Sequence, residues 1–169
     1  NVAWPYPCWI AHRGAGELAT ENTMAAFRVG AEHGFATFEC EVKLSADGVP
    51  FLLHDAALAR TTPVDGVAGE RPWAYLSQLD AGGWHSRRYA GEPMPTLAAI
   101  AHYVRRNRFA LNIELNPTPG HDERTEVHPA HRRLMPAQVA GLDGGQRAPD
   151  PLVGQQDEQV DEAQLQRPD

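Results

Sequence analysis

The chain reads as an α/β fold built on a parallel sheet, open or closed into a barrel, and three observations lead there. Runs with an apolar period of two alternate with runs of helical period. Each strand-like run ends in, or carries, polar groups, as the strands of parallel α/β enzymes do along one rim. This alternation is confined to residues 1–120 of 169, after which the composition changes.

Taken in order, Cys8-Trp9-Ile10-Ala11 is a short apolar run and the first expected strand. Asn22 or Thr23 is placed to cap a helix from Met24 to His33, with Gly34 where a left-handed residue ends helices. Phe35 to Leu44 alternates around Phe38, Cys40, Val42 and Leu44, a half-buried second strand. Ala46-Asp47-Gly48 is a turn, and Val49 to Leu53 a third strand. A long Gly-rich stretch follows, carrying Trp73, Tyr75, Trp84 and Tyr89. Loops that long in compact domains are usually functional, so residues 56–95 are expected to form an inserted subdomain. Leu97, Ile100, Ala101 and Val104 fall on one helical face, predicting a helix over Leu97 to Asn107. Ala110 to Leu115 is the fourth strand.

From His121 onward there is no aromatic residue, and five Arg stand against ten Asp and Glu. Such a segment buries too little apolar surface to offset its chain entropy, so 121–169 is expected to be a disordered acidic tail. The net charge of −7 argues against nucleic acid or an anionic membrane as partner. No apolar run is long enough for a membrane span. Cys8 and Cys40 lack zinc or disulfide-framework spacing. The first residues do not resemble a signal peptide, and a reduced cytoplasm is the expected compartment.

Four clusters carry chemistry. His12-Arg13-Gly14 closes the first strand and offers a proton carrier, an anion binder and close backbone approach; a solvated loop histidine is the plainer reading. Glu39 and Glu41 share one strand face. They are either two exposed acids on an edge or a pair that needs a cation between them. His54-Asp55 ends the third strand. Asn112, Glu114 and Asn116 share a face of the fourth, where a buried Glu needs a partner. Each cluster alone has a plain reading. Gathered at one rim of a parallel sheet, they describe acid/base chemistry around a divalent cation.

These residues, in this order, resemble the glycerophosphodiester phosphodiesterase family. The resemblance is carried by His12-Arg13-Gly14, Glu21-Asn22-Thr23, Glu39-x-Glu41-Val42, Asp47-Gly48-Val49-Pro50, His54-Asp55 with Leu58 and Arg60-Thr61-Thr62, Pro95-Thr96-Leu97 and Ile113-Glu114-Leu115. Trp4-Pro5-Tyr6-Pro7, Gly66 to Glu70 and Asp80-Ala81-Gly82 look like its bacterial cytosolic branch. The resemblance implies a TIM (β/α)8 barrel, of which residues 1–120 are a part with about four strands. It implies metal-dependent hydrolysis of small water-soluble glycerophosphodiesters to sn-glycerol 3-phosphate and an alcohol. His12 and His54 would be the acid/base pair, Arg13 would bind phosphate, and Glu39, Glu41 and Glu114 would hold Mg²⁺ or Ca²⁺.

Three positions depart from the family pattern: Glu41 stands for a usual Asp, Asn116 for a Lys and Thr20 for a Pro. A full barrel needs roughly 250 residues, so open sheet edges and self-association through them are expected. Two further readings accompany the active one. The chain is a truncated, inactive remnant that binds a cation or glycerol phosphate, or it is a phospholipase D-like enzyme acting on lipids.

Overall fold

The computed structural model describes residues 8–119. Three strands form one sheet, β1 (Thr37–Leu44), β2 (Pro50–Leu52) and β3 (Ala110–Leu115), in the order β2-β1-β3. Three α-helices accompany them: α1 (Met24–Glu32), the single turn α2 (Trp73–Leu76) and α3 (Leu97–Asn107).

Local sequence accounts for the helices. The Thr23 hydroxyl accepts the Ala26 N–H at 3.2 Å and starts α1, and Gly34, at φ +88°, lets the chain leave it. Thr96 caps α3 in the same way through the Ala99 N–H at 3.1 Å. The α3 stripe of Leu97, Ile100, Ala101 and Val104 is buried, as its spacing predicts. Arg108, in the left-handed conformation, closes it.

β1 sorts its side chains by parity. Phe38, Cys40 and Val42 are fully buried in the main core with Phe27 of α1 and Leu97, Ile100 and Val104 of α3. Phe27 and Phe38 stack at 5.1 Å. The odd-numbered Glu39, Glu41 and Lys43 take the opposite face. β2 divides two cores: Leu52 joins the first, while Phe51 and Leu53 join a second with Leu58, Ala68, Leu76, Ala81 and Met94. The segment between β2 and α3 therefore packs on a small core of its own.

Two expectations about the sheet are corrected. β1 and β3 run parallel, with Glu41 opposite Glu114, but β2 returns antiparallel to β1. The turn closes with the Gly48 N–H donating to Ser45 O at 2.9 Å, and a connection this short joins only antiparallel neighbours. The expected first strand shrinks to one bridge. Ala11 N–H donates to Thr37 O and Ala11 O accepts from Glu39 N–H, and at Arg13 the chain turns into the left-handed region. The described residues thus hold three strands rather than four. The acidic tail expected over 121–169 lies outside them.

Candidate active site

The site is built where β1, the turn after Ala11 and the end of β2 meet. Arg13 at φ +51° and Gly14 at φ +99° bend the chain sharply over the polar face of β1. Gly14 is held against α1. A Cβ there would sit 2.8 Å from Ala26 Cβ, and one on Gly30 would collide with Gly14 O. Only glycine permits this approach. The bend points the Arg13 N–H at Glu39 Oε2, 2.9 Å away, and brings His12 Nε2 within 4.0 Å of the same oxygen. Donor atoms of His12, Glu39 and Glu41 all lie within 4.8 Å of one another.

Glu41 is buried and bound on both oxygens. Arg13 Nε donates to Oε1 at 2.8 Å and Asn22 Nδ2 to Oε2 at 2.6 Å. His54 Nε2 stands 3.9 Å from Oε1. On its other side the imidazole meets Asp55 Oδ1 through Nδ1 at 2.6 Å. Because an ionised carboxylate only accepts, Nδ1 carries the hydrogen and Nε2 faces Glu41 with a lone pair in the neutral ring. Arg60 closes the circuit. Its Nε donates to Asp55 at 2.5 Å and its two other nitrogens to Glu21, which also receives Arg13 Nη1 at 3.3 Å.

The electrostatics differ sharply along this circuit. Burial, with the neighbouring Glu41 charge second, raises the Glu39 carboxyl to about 8. The Arg60 hydrogen bond holds Asp55 down at about 2. Burial pushes Glu21 up, but the Arg60 hydrogen bond and the charges of Arg13, Arg60 and His54 outweigh it, and its pKa falls below the ordinary value. Glu39 Oε1 is buried without a hydrogen-bond partner. A buried, unpartnered carboxylate oxygen beside a second carboxylate and an imidazole suits a hard cation with oxygen and nitrogen ligands.

The sequence-selected residues fare differently. Donor atoms of His12, Glu39 and Glu41 come together, and Arg13 and His54 stand beside them. Glu114 faces the same side as Glu41 across the ladder, exposed and outside the His12–Glu39–Glu41 cluster. Among the described residues β3 pairs with β1 alone, which leaves its outer side chains uncovered. Arg13, expected on phosphate, is engaged by Glu41 and Glu21.

The departures also acquire structure. Thr20 is buried and its hydroxyl donates to Ala81 O at 2.5 Å, a bond proline has no group to make. Asn116 Nδ2 donates to His54 O at 2.8 Å, and Asn116 O accepts from Lys43 Nζ at 2.7 Å. Sequence reasoning assigned no site role to Lys43 or Arg60, and considered Asn22 only as a helix cap. The Glu21-Asn22-Thr23 and Arg60-Thr61-Thr62 motifs were the signal that pointed to the last two.

The family model for the glycerophosphoryl diester phosphodiesterase family matches residues 12–163, running beyond residue 120 where the local motifs stop. A mouse glycerophosphoinositol inositolphosphodiesterase is 48% identical over 92 residues, which are 50% of this chain and 17% of that protein. A glycerophosphodiester phosphodiesterase of Caldanaerobacter subterraneus is 36% identical over 106 residues, 63% of this chain and 44% of the relative. Among solved structures, an Oleispira antarctica phosphodiesterase in complex with the product sn-glycerol-3-phosphate superimposes with a TM-score of 0.72 at 37% identity. It covers 79% of this chain and 55% of its own. An Agrobacterium tumefaciens glycerophosphodiester phosphodiesterase gives 0.59 at 40% identity, over 63% and 46% of the two chains. The mixed α/β unit with its open three-stranded sheet thus corresponds to about half of each solved relative. With the family model spanning most of the chain and the His12–Glu39–Glu41 cluster in place, this chain belongs to the glycerophosphoryl diester phosphodiesterase family.

Proposed function

We propose that this chain carries the N-terminal half of a (β/α)8 barrel active site that hydrolyses small water-soluble glycerophosphodiesters to sn-glycerol 3-phosphate and an alcohol in the cytoplasm. The observation that carries the reading is the meeting of His12, Glu39 and Glu41 beside Arg13 and His54, with Glu39 Oε1 left unpartnered. The product sn-glycerol-3-phosphate, with which the Oleispira antarctica phosphodiesterase was solved in complex, supports the substrate class.

In this reading Glu39 and Glu41, with His12 at their side and Glu114 across the ladder, would hold Mg²⁺ or Ca²⁺. Such an ion supplies Lewis acidity and offsets phosphate charge. His54 has its Nδ1 hydrogen fixed by Asp55, so Nε2 accepts the proton of the glycerol hydroxyl that attacks phosphorus. His12 protonates the departing alcohol oxygen, and a cyclic phosphate remains. Water then opens that ring with the proton transfers reversed. Arg13 binds the phosphate oxygens.

Glycerophosphocholine supplied with Mg²⁺ or Ca²⁺, read through glycerol 3-phosphate release, tests this directly. Release that disappears in His12→Ala supports the assignment; a wild-type rate no higher than that variant's refutes it. A second reading is binding of the cation or glycerol phosphate without turnover, favoured by one observation: Arg13, the proposed phosphate ligand, is already engaged by Glu41 and Glu21.

A further inference from the structure

Lys43 is 1% exposed, a lysine almost wholly removed from water in a site rich in acids. It follows Glu39 and Glu41 at two-residue steps on β1 and therefore shares their face of the sheet. Its Nζ donates to Asn116 O at 2.7 Å, and among the described residues it lies within 4.0 Å of no carboxylate. Burial lowers its pKa from the ordinary value, while Asp55, Glu41 and Glu114, acting from further away, oppose that shift and favour the ammonium. A buried ammonium with one short hydrogen bond and no ion-pair partner is costly to hold. The positive charge itself therefore asks for a use.

We infer that Lys43 is a positioning residue, the interior counter-charge of the acid cluster, which weakens the cation site and strengthens the binding of phosphate beside it. Two connections support the role. Through Asn116, whose side chain donates to His54 O, the ammonium is tied to the backbone of a proposed catalytic histidine. On β1 it stands two residues from Glu41, where its field reaches both the carboxylates and an incoming phosphate. Arg13 and Arg60, the other cations of the circuit, are bound to carboxylates. The phosphate half of the inference rests on the proposed function.

The sign of the effect makes the test selective. Removing one positive charge moves cation and anion affinity in opposite directions, whereas a loosened fold weakens both. In Lys43→Gln, Ca²⁺ or Mg²⁺ titrated by calorimetry is expected to bind about tenfold tighter and inorganic phosphate about tenfold weaker. Lys43→Arg is expected to restore both toward wild type.

Equal affinities in the wild type and Lys43→Gln overturn the inference. Weakening of both, with neither recovered in Lys43→Arg, makes Lys43 a structural prop and overturns it too. A wild-type chain that binds neither probe does the same. Opposite shifts in a chain that turns over no glycerophosphocholine leave Lys43 in its role and remove only the catalytic reading.

Discussion

Asn22 and Glu41 grip each other twice: Asn22 Nδ2 donates to Glu41 Oε2 at 2.6 Å, and the Glu41 N–H donates to Asn22 Oδ1 at 3.3 Å. Asn22 does so at φ +55°, a conformation asparagine tolerates better than most residues. Asn22→Ala leaves a buried carboxylate short of a donor and adds backbone strain. A loss of about 3 kcal/mol in urea unfolding is expected. Asn22→Gly, which relieves the strain alone, is expected to recover only part of it; full recovery would show that the two hydrogen bonds contribute nothing.

Glu39 and Asp55 give opposite pH signatures. Glu39 is raised from 4.5 to about 8 in the folded chain, so the folded state holds a proton the unfolded state releases. Stability therefore falls as pH climbs from 4.5 toward 8, by at most about 1.4 kcal/mol per unit from this group, and levels off above. Glu39→Gln is expected to remove that slope in metal-free thermal melts. Asp55, lowered to about 2, contributes stability above its ordinary 3.8 that is lost as pH falls through 2. A Glu39→Gln chain that keeps the wild-type slope between pH 5 and 8 would assign it to another group.

Gly14 and Gly34 both have positive φ, yet their alanine variants are expected to differ. At Gly34 a Cβ meets nothing within 4 Å, so only backbone strain of about 1 kcal/mol is added. At Gly14 it meets Ala26 Cβ at 2.8 Å and the backbone of α1, and about 2–4 kcal/mol is expected. Melting temperatures of the two variants, compared side by side, check the ranking.

Arg60 bonds Asp55 and Glu21 from a position 41% exposed, so solvent screens much of its contribution. Arg60→Ala is expected to lower stability by only about 1 kcal/mol, and less in 1 M salt. Its effect on turnover is expected to be larger, about tenfold in kcat, because Asp55 then holds His54 less firmly. A kcat unchanged in a folded Arg60→Ala chain would dissociate Asp55 from the orientation of His54.

What the sequence alone determined is local. The bounds Leu97–Asn107 of α3 and Ala110–Leu115 of β3 match the runs read from periodicity, and α1 ends one residue before the expected His33. The grouping of His12, Glu39 and Glu41 was legible because strand ends and parity constrain where such side chains go. Tertiary structure decided the partners. That β2 runs antiparallel, that Ala11 makes a bridge rather than a strand, that Glu114 is exposed, and that Arg13 is held by Glu41 and Glu21 all depend on what lies across a gap in sequence. Periodicity reports which face a side chain takes. It carries no record of the residue waiting on that face, which at this site decides what each group is bonded to.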